Sequence, residues 1–185
     1  AFALPVYEVR SLFELPLYLV LGGLASVVSF AYTQTVDFSR AAFQGNVSYL
    51  AGLGKIPRCL TPVLGGAIVG IVALKFPQVT GIGYETIEAM LQDVQFPVLL
   101  LVSILVIKML LTAVSLGSGL VGGLFAPSMF LGATMGTIYG KSLVLLFPAL
   151  SSQIAAPPAY AMVGMAAVLA SSARAPLTAI LLMFE

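Results

Sequence analysis

The sequence predicts an all-α, polytopic membrane protein of about seven helices, several of them tilted, broken or re-entrant. Three observations lead there. Of the 185 residues, 60% are hydrophobic and only 8% are charged; a soluble domain carries about 25% charged residues, and this chain has too few to cover a wet surface. The mean hydropathy of +1.10 agrees. Apolar segments follow one another along the whole chain, and prolines and glycines gather at their ends.

The segments can be taken in order. Residues 15–43 form a run long enough to cross a bilayer obliquely, with Gly22, Gly23, Ala25, Ser26 and Ser29 closely spaced within it. Residues 61–76 are shorter and carry Gly65, Gly66 and Gly70. Residues 84–91 read as a short helix with Glu85 and Glu88. Residues 96–115 have the length that a hydrocarbon core of about 30 Å requires, and their one charge is Lys108. Residues 125–147, 160–172 and 177–184 complete the set.

Runs of eight to sixteen residues are too short to span. Broken helices at membrane depth survive only where protein or a polar cavity satisfies the freed backbone groups. Such a chain surrounds a pathway more readily than it serves as an anchor. Proline suits the first helical turn, where an N–H would lack a partner. Pro62, Pro97, Pro127 and Pro176 therefore read as helix starts. Residues 78–83 make a glycine-rich turn, and residues 45–58 make the main polar interval, with Lys55 and Arg58. The basic residues are scattered, so loop charge gives no orientation.

Composition also excludes. A net charge of +1 without basic clusters argues against nucleic acid. With no histidine and one cysteine, no Cys/His metal site or internal disulfide can be built, and Cys59 reads as an inert small residue. The same poverty leaves no metal pair or Ser/His dyad for an intramembrane enzyme, so neither enzymatic activity nor a cofactor is expected. No cleavable leader pattern opens the chain. Glu185 closes an apolar run without a cap, so a single membrane-domain fragment over residues 1–185 is expected.

The most informative stretch is residues 116–127, LGSGLVGGLFAP, with glycines at 117, 119, 122 and 123. Glycine permits tight, extended backbone between two helices. The following helix would then begin inside the membrane, with N–H groups that have no intrahelical partner and with the positive end of its dipole. Together these make an anion site. Permeation needs binding firm enough to admit an ion and weak enough to release it. Amides offer partial charge where a lysine would hold too tightly, and no Lys or Arg stands between Lys108 and Lys141. From the residues alone, a glycine-rich turn between packed helices explains the stretch equally well.

Gly123, Leu124, Phe125, Ala126 and Pro127 resemble the G-[IVL]-F-x-P motif of the CLC family of chloride channels and chloride/proton antiporters. Gly117, Ser118 and Gly119 before it, and Gly132 and Ala133 after it, agree. Ser172, Ala173, Arg174, Ala175, Pro176, Leu177, Thr178 and Ala179 resemble the family's S-x-R-A-P-L-T-[AG] segment. Residues 81–87, GIGYETI, resemble a short-helix entry of bacterial members. The three matches stand in the family's order and spacing and cover most of the chain.

The resemblance implies the second of two inverted repeats and selective chloride transport, by a channel or by proton-coupled exchange. It implies an anion held by amides of Gly123, Leu124, Phe125 and Ala126, with Pro127 fixing the helix start. It also implies a homodimer in a lipid bilayer, in a bacterial inner membrane. The family's central serine, gating glutamate and pore tyrosine have no counterpart in this stretch, and Ser118 lacks the proline that would mark the central serine. The rivals are a transporter of another small substrate with a similar broken helix and a structural membrane subunit.

Other residues read more plainly. Gly132, Gly136 and Gly140 form a packing stripe, and Gly66 and Gly70 get the same reading. Lys108 is expected to pair with an acidic residue in the missing half or to snorkel to an interface, rather than to serve the ion. Arg174 is expected to bond helix-end carbonyls. Glu85 and Glu88 read as surface residues rather than proton carriers. The role of Glu185 stays open.

Overall fold

The computed structural model describes residues 14–47, 56–57, 59–92, 94–148 and 154–184. They form seven α-helices: α1 (Glu14–Phe43), α2 (Thr61–Lys75), α3 (Tyr84–Leu91), α4 (Val98–Gly117), α5 (Phe125–Leu146), α6 (Pro157–Ala173) and α7 (Pro176–Phe184). A single 3-10 turn, Pro77–Val79, links α2 to α3. Each predicted segment matches one helix, with ends displaced by up to three residues. Most of the polar interval 45–58, with Lys55 and Arg58, and Glu185 lie outside the described residues.

Length sorts the helices. α1 has 30 residues, about 45 Å at 1.5 Å per residue, and exceeds a bilayer core of about 30 Å unless it tilts or protrudes. Glu14 in its first turn and Arg40 in its last suit the helix dipole. Among the described residues, α1, α4 and α5 are long and apolar enough to cross a membrane. α2, with 15 residues, is shorter, and α3, with eight, is a helical piece of about two turns. Pro62 and Pro176 stand in the first turns of α2 and α7. Pro97 differs slightly: it precedes α4 as its N-cap, and Pro127 is the third residue of α5.

α5 is the hub. Residues 128–137 are buried throughout, which is unusual in a chain with so much exposed apolar surface. On one side Met129, Phe130 and Ala133 pack with Ile87 and Met90 of α3, Leu101 and Ile104 of α4, and Met165 of α6. On the other, Leu131 and Met135 pack with Leu21, Ala25 and Tyr32 of α1 and with Tyr160 and Val168 of α6. Elsewhere the outer faces are apolar: Leu19 and Phe30 on α1, Ile71 and Leu74 on α2, Leu99 on α4 and Leu145 on α5 are exposed. Hydrocarbon or further protein suits these faces, and the chain is an integral membrane protein.

The α5–α6 contact is made by the predicted glycine stripe. A Cβ placed at Gly132 would lie 2.6 Å from the Cα of Met165, and one at Gly136 or Gly140 would lie 2.7 Å from the Cα of Ala161 or Pro157. In lipid, packing and close backbone approach replace the hydrophobic drive between helices. Gly66 and Gly70 depart from the same expectation: among the described residues nothing lies within 4 Å of their Cβ positions. The packing glycine of α2 is their neighbour Gly65, which lies against the side chain of Ser118.

Candidate functional site

The 116–127 stretch joins a closed helix end to an open one. α4 ends at Gly117, and Gly119 takes the left-handed conformation at φ 89°. Its N–H bonds the Leu116 carbonyl at 3.4 Å, and the Leu120 N–H bonds the Ser115 carbonyl at 3.0 Å. This is a Schellman motif, which satisfies the last carbonyls of the helix. The Ser118 hydroxyl donates to the Ser115 carbonyl and is spent in the same closure.

α5 opens differently. Its N-cap residue Leu124 offers no side-chain hydrogen bond. The Ser128 N–H starts the ladder, donating to the Leu124 carbonyl at 3.1 Å. The amides of Leu124, Phe125 and Ala126 precede that bond, and Pro127 has no N–H. Ser128, fully buried, turns its hydroxyl back onto the Phe125 carbonyl at 2.7 Å, away from the free donors. Sequence and backbone together thus leave a row of unclaimed N–H groups at the positive end of a 22-residue helix. Such an end attracts a small anion without a full cation.

The five residues expected to form the site are consecutive, and two cavities border four of them. One, of about 460 Å³, is lined by Gly122, Gly123, Ala126 and Pro127 together with Lys108, Thr112 and Ser115 of α4. The other, of about 530 Å³, is lined by Leu124, by Ser29, Thr33 and Arg40 of α1, and by Ser172 and Arg174. Phe125 is half exposed. The start of α5 therefore stands between two partly polar spaces.

Lys108 is only 3% exposed, and among the described residues its ammonium is held by backbone carbonyls. Its ammonium donates to the carbonyls of Val79 and Gly81, at 2.8 and 2.6 Å, and sits 5.0 Å from the centre of the Phe130 ring. Hydrogen bonds from a charged donor contribute about 1.5–3 kcal/mol each. Sequence could flag the lone charge, yet carbonyl partners carry no sequence signature.

Arg174 also departs from expectation. It sits in the left-handed region at φ 54°, the one non-glycine residue among those described to do so, and among the described residues its exposed side chain bonds no helix-end carbonyl. Glu85 and Glu88 are exposed on α3, as read. One cluster escaped the sequence reading. At the far end of α5 the Tyr139 hydroxyl donates to the Leu17 carbonyl at 3.0 Å, and the Tyr160 ring lies 5.3 and 5.6 Å from those of Tyr18 and Tyr139. The i, i+4 spacing of Glu14 and Tyr18 was the available hint; Glu14 is fully buried.

Comparison with known proteins supplies the lineage. The model of the voltage gated chloride channel family matches residues 1–185. The chain is 38% identical over 192 residues to chloride channel protein CLC-f of Arabidopsis thaliana, and 40% identical over 195 residues to CLC-e of the same plant. It is 34% identical over 185 residues to the H(+)/Cl(-) exchange transporter ClcA of Vibrio vulnificus. These matches cover 98% to 100% of the chain, but the chain spans only 24%, 27% and 37% of those relatives. The chain belongs to the voltage gated chloride channel family.

Proposed function

We propose that this chain forms one half of a chloride pathway across a membrane, as the second of two inverted repeats. The amides of Gly123, Leu124, Phe125 and Ala126 hold the partly dehydrated anion, and Pro127 fixes the helix start. The observation that carries this reading is the open start of α5, with its donors unclaimed and a cavity on either side. Partial charge on backbone suits an ion that must also leave. The role is passage, without covalent chemistry and without a cofactor. Bromide-soaked crystals of the full-length parent protein test it by anomalous diffraction. Density beside the amides of residues 123–126 is expected; an anion seated instead on a side-chain cation would sink the reading.

Proton coupling, assembly and location belong to the same proposal. The named relatives include both chloride channel proteins and an H(+)/Cl(-) exchange transporter, and proton movement measured alongside chloride flux separates the two modes. The parent protein is proposed to be a homodimer in a bacterial inner membrane. Support for the dimer comes from α7, where Leu177 and Leu181 are exposed at one-turn spacing, and where Ile180 and Phe184 extend the stripe in sequence. Cysteines placed at these four positions should cross-link within the dimer. A dimer verified by other means with no cross-link at any of them would move the interface elsewhere.

A further inference from the structure

The turn between α2 and α3 has the form of a thin partition. Thr80, Gly81 and Ile82 line both the cavity of about 460 Å³ that reaches Gly122 and Gly123 and a second cavity of about 650 Å³. Within the turn, the Val79 N–H bonds the Phe76 carbonyl at 3.2 Å and the Thr80 N–H bonds the Pro77 carbonyl at 3.1 Å. The Thr80 hydroxyl bonds the Pro77 carbonyl, the Thr86 hydroxyl bonds the Gln78 carbonyl, and Gly81 is left-handed at φ 57°. The turn is attached to the helix bundle by the buried Val79 side chain and by Lys108, whose ammonium takes the Val79 and Gly81 carbonyls. Phe130, one and a half turns into α5, completes the anchor. Its ring lies beneath the ammonium and against Gly83, where a Cβ would come within 2.7 Å of the ring. The same helix thus carries the open amides at its start and the anchor of the partition further along.

We propose that Lys108 is a positioning residue that sets anion selectivity. By clamping Val79 and Gly81 it fixes the partition at the width that governs which anions reach the start of α5. The inference rests on the anion-pathway reading of that cavity. Lysine is suited to the task because one ammonium offers three donors, enough to hold two carbonyls at once. A carbonyl carries no net charge, so the clamp leaves the cation unneutralised, and the turn cannot swing away without stranding a buried charge. Releasing the clamp lets the two cavities merge over Thr80, Gly81 and Ile82.

The test uses the full-length parent protein in liposomes, with chloride and iodide fluxes measured separately and chloride binding measured by calorimetry. Lys108→Arg keeps charge and donors and should keep the wild-type ratio of chloride to iodide flux. Lys108→Met should lower that ratio by about threefold or more, equivalent to about 0.7 kcal/mol at 1.4 kcal/mol per tenfold, while chloride affinity changes little. An unchanged ratio in folded Lys108→Met would overturn the proposal. So would a lost chloride affinity at constant ratio, which would make the ammonium itself the anion ligand. Should Lys108→Met not fold, Thr80→Cys answers in its place, in a background where Cys59 and other cysteines are serine. Attaching a bulky thiol reagent at position 80 should cut chloride flux, and a modified protein with undiminished flux would overturn the proposal. A wild type that carries no anion at all would instead bring down the pathway reading beneath it.

Discussion

Two groups of glycines meet α5, and they are used in opposite ways. Gly132, Gly136 and Gly140 are filled by another backbone: α6 occupies the space where their side chains would be. Gly122 and Gly123 lead into the same helix yet border a cavity, and Gly123 has nothing within 4 Å of its Cβ position. A missing side chain admits whatever must come closest. In one place that is a neighbouring helix, and in the other it is open space beside unclaimed amides. The residue type alone does not say which, and the comparison can be broken or sharpened by substitution.

The largest effect is expected on the packed side. In an ordinary helix interior Gly→Ala stabilises by about 1 kcal/mol. At Gly136 the new methyl would meet the Tyr160 carbonyl and lie 2.7 Å from the Cα of Ala161. Backbone cannot rotate aside as a side chain can, so α5 and α6 must part. Overpacking of this kind costs about 1–3 kcal/mol or more, which reverses the sign. Gly136→Ala should therefore lower unfolding stability in detergent, and Gly132→Ala together with it should leave little folded protein. Denaturant titration of the full-length variants measures this. A Gly136→Ala protein as stable as wild type would show that the helices are not in backbone contact.

The next effect is expected on the open side, in binding rather than stability. Leu124 has φ −86° and ψ −21°, close to what proline adopts, and its N–H makes no bond in the helix ladder. Leu124→Pro should accordingly fold. It removes one of the proposed anion donors, and a hydrogen bond to a charged group contributes about 1.5–3 kcal/mol. Chloride affinity should fall about 10- to 150-fold at 1.4 kcal/mol per tenfold. Calorimetric titration of the folded variant reads this directly. Normal affinity in folded Leu124→Pro would remove the backbone from the mechanism.

The sequence carried much of this picture, for identifiable reasons. Helix α3 could be read as residues 84–91 because Gly83 and the apolar–acidic pattern bound it on both sides. The stripe at 132, 136 and 140 was legible because one helix face repeats every four residues and packing uses that period. The stripe at 66 and 70 looks the same on paper, and only the tertiary fold shows that Gly65 faces Ser118 while they face outward. Lys108 was recognisable as a charge that must be satisfied, but its partners are carbonyls at Val79 and Gly81, about 28 residues away in sequence and contributed by a turn. Backbone partners leave no trace in side-chain identity. The open start of α5 was foreshadowed by GLFAP, whereas the cavities beside it come from α2, the α2–α3 turn and α4 meeting in one case and α1 and α6 in the other.

Smaller effects separate donor from shape. Leu124→Val keeps its amide and alters only a half-buried side chain, so chloride affinity should move by less than about threefold, well under the loss of a donor. Phe125→Leu also keeps its amide but shrinks a half-exposed ring. Its flux should change more than its affinity. The pair Leu124→Val and Leu124→Pro is the sharper test, since the two differ mainly in one N–H. Equal losses in both would assign the effect to side-chain volume.

The smallest effect is expected from Gly123→Ala, and it returns to the comparison with Gly136. The chemical change is identical, one methyl group. At Gly123 that methyl enters open space, and the residue's φ lies outside the left-handed range, so neither collision nor strain opposes it. Stability should stay within about 0.5 kcal/mol of wild type, as for a substitution away from packed features. The N–H remains, so its contribution to anion binding remains as well. What changes is the room beside the donor: the methyl stands at the mouth of the cavity lined by Gly122, Ala126 and Pro127. If the anion approaches the amides through that mouth, flux should fall modestly while stability does not. Measured together, unfolding stability and chloride flux of Gly123→Ala and Gly136→Ala should split along two axes, the first variant losing flux and the second losing fold. A Gly123→Ala protein as destabilised as Gly136→Ala would mean that another part of the full-length protein already fills this space, and that both groups of glycines serve packing.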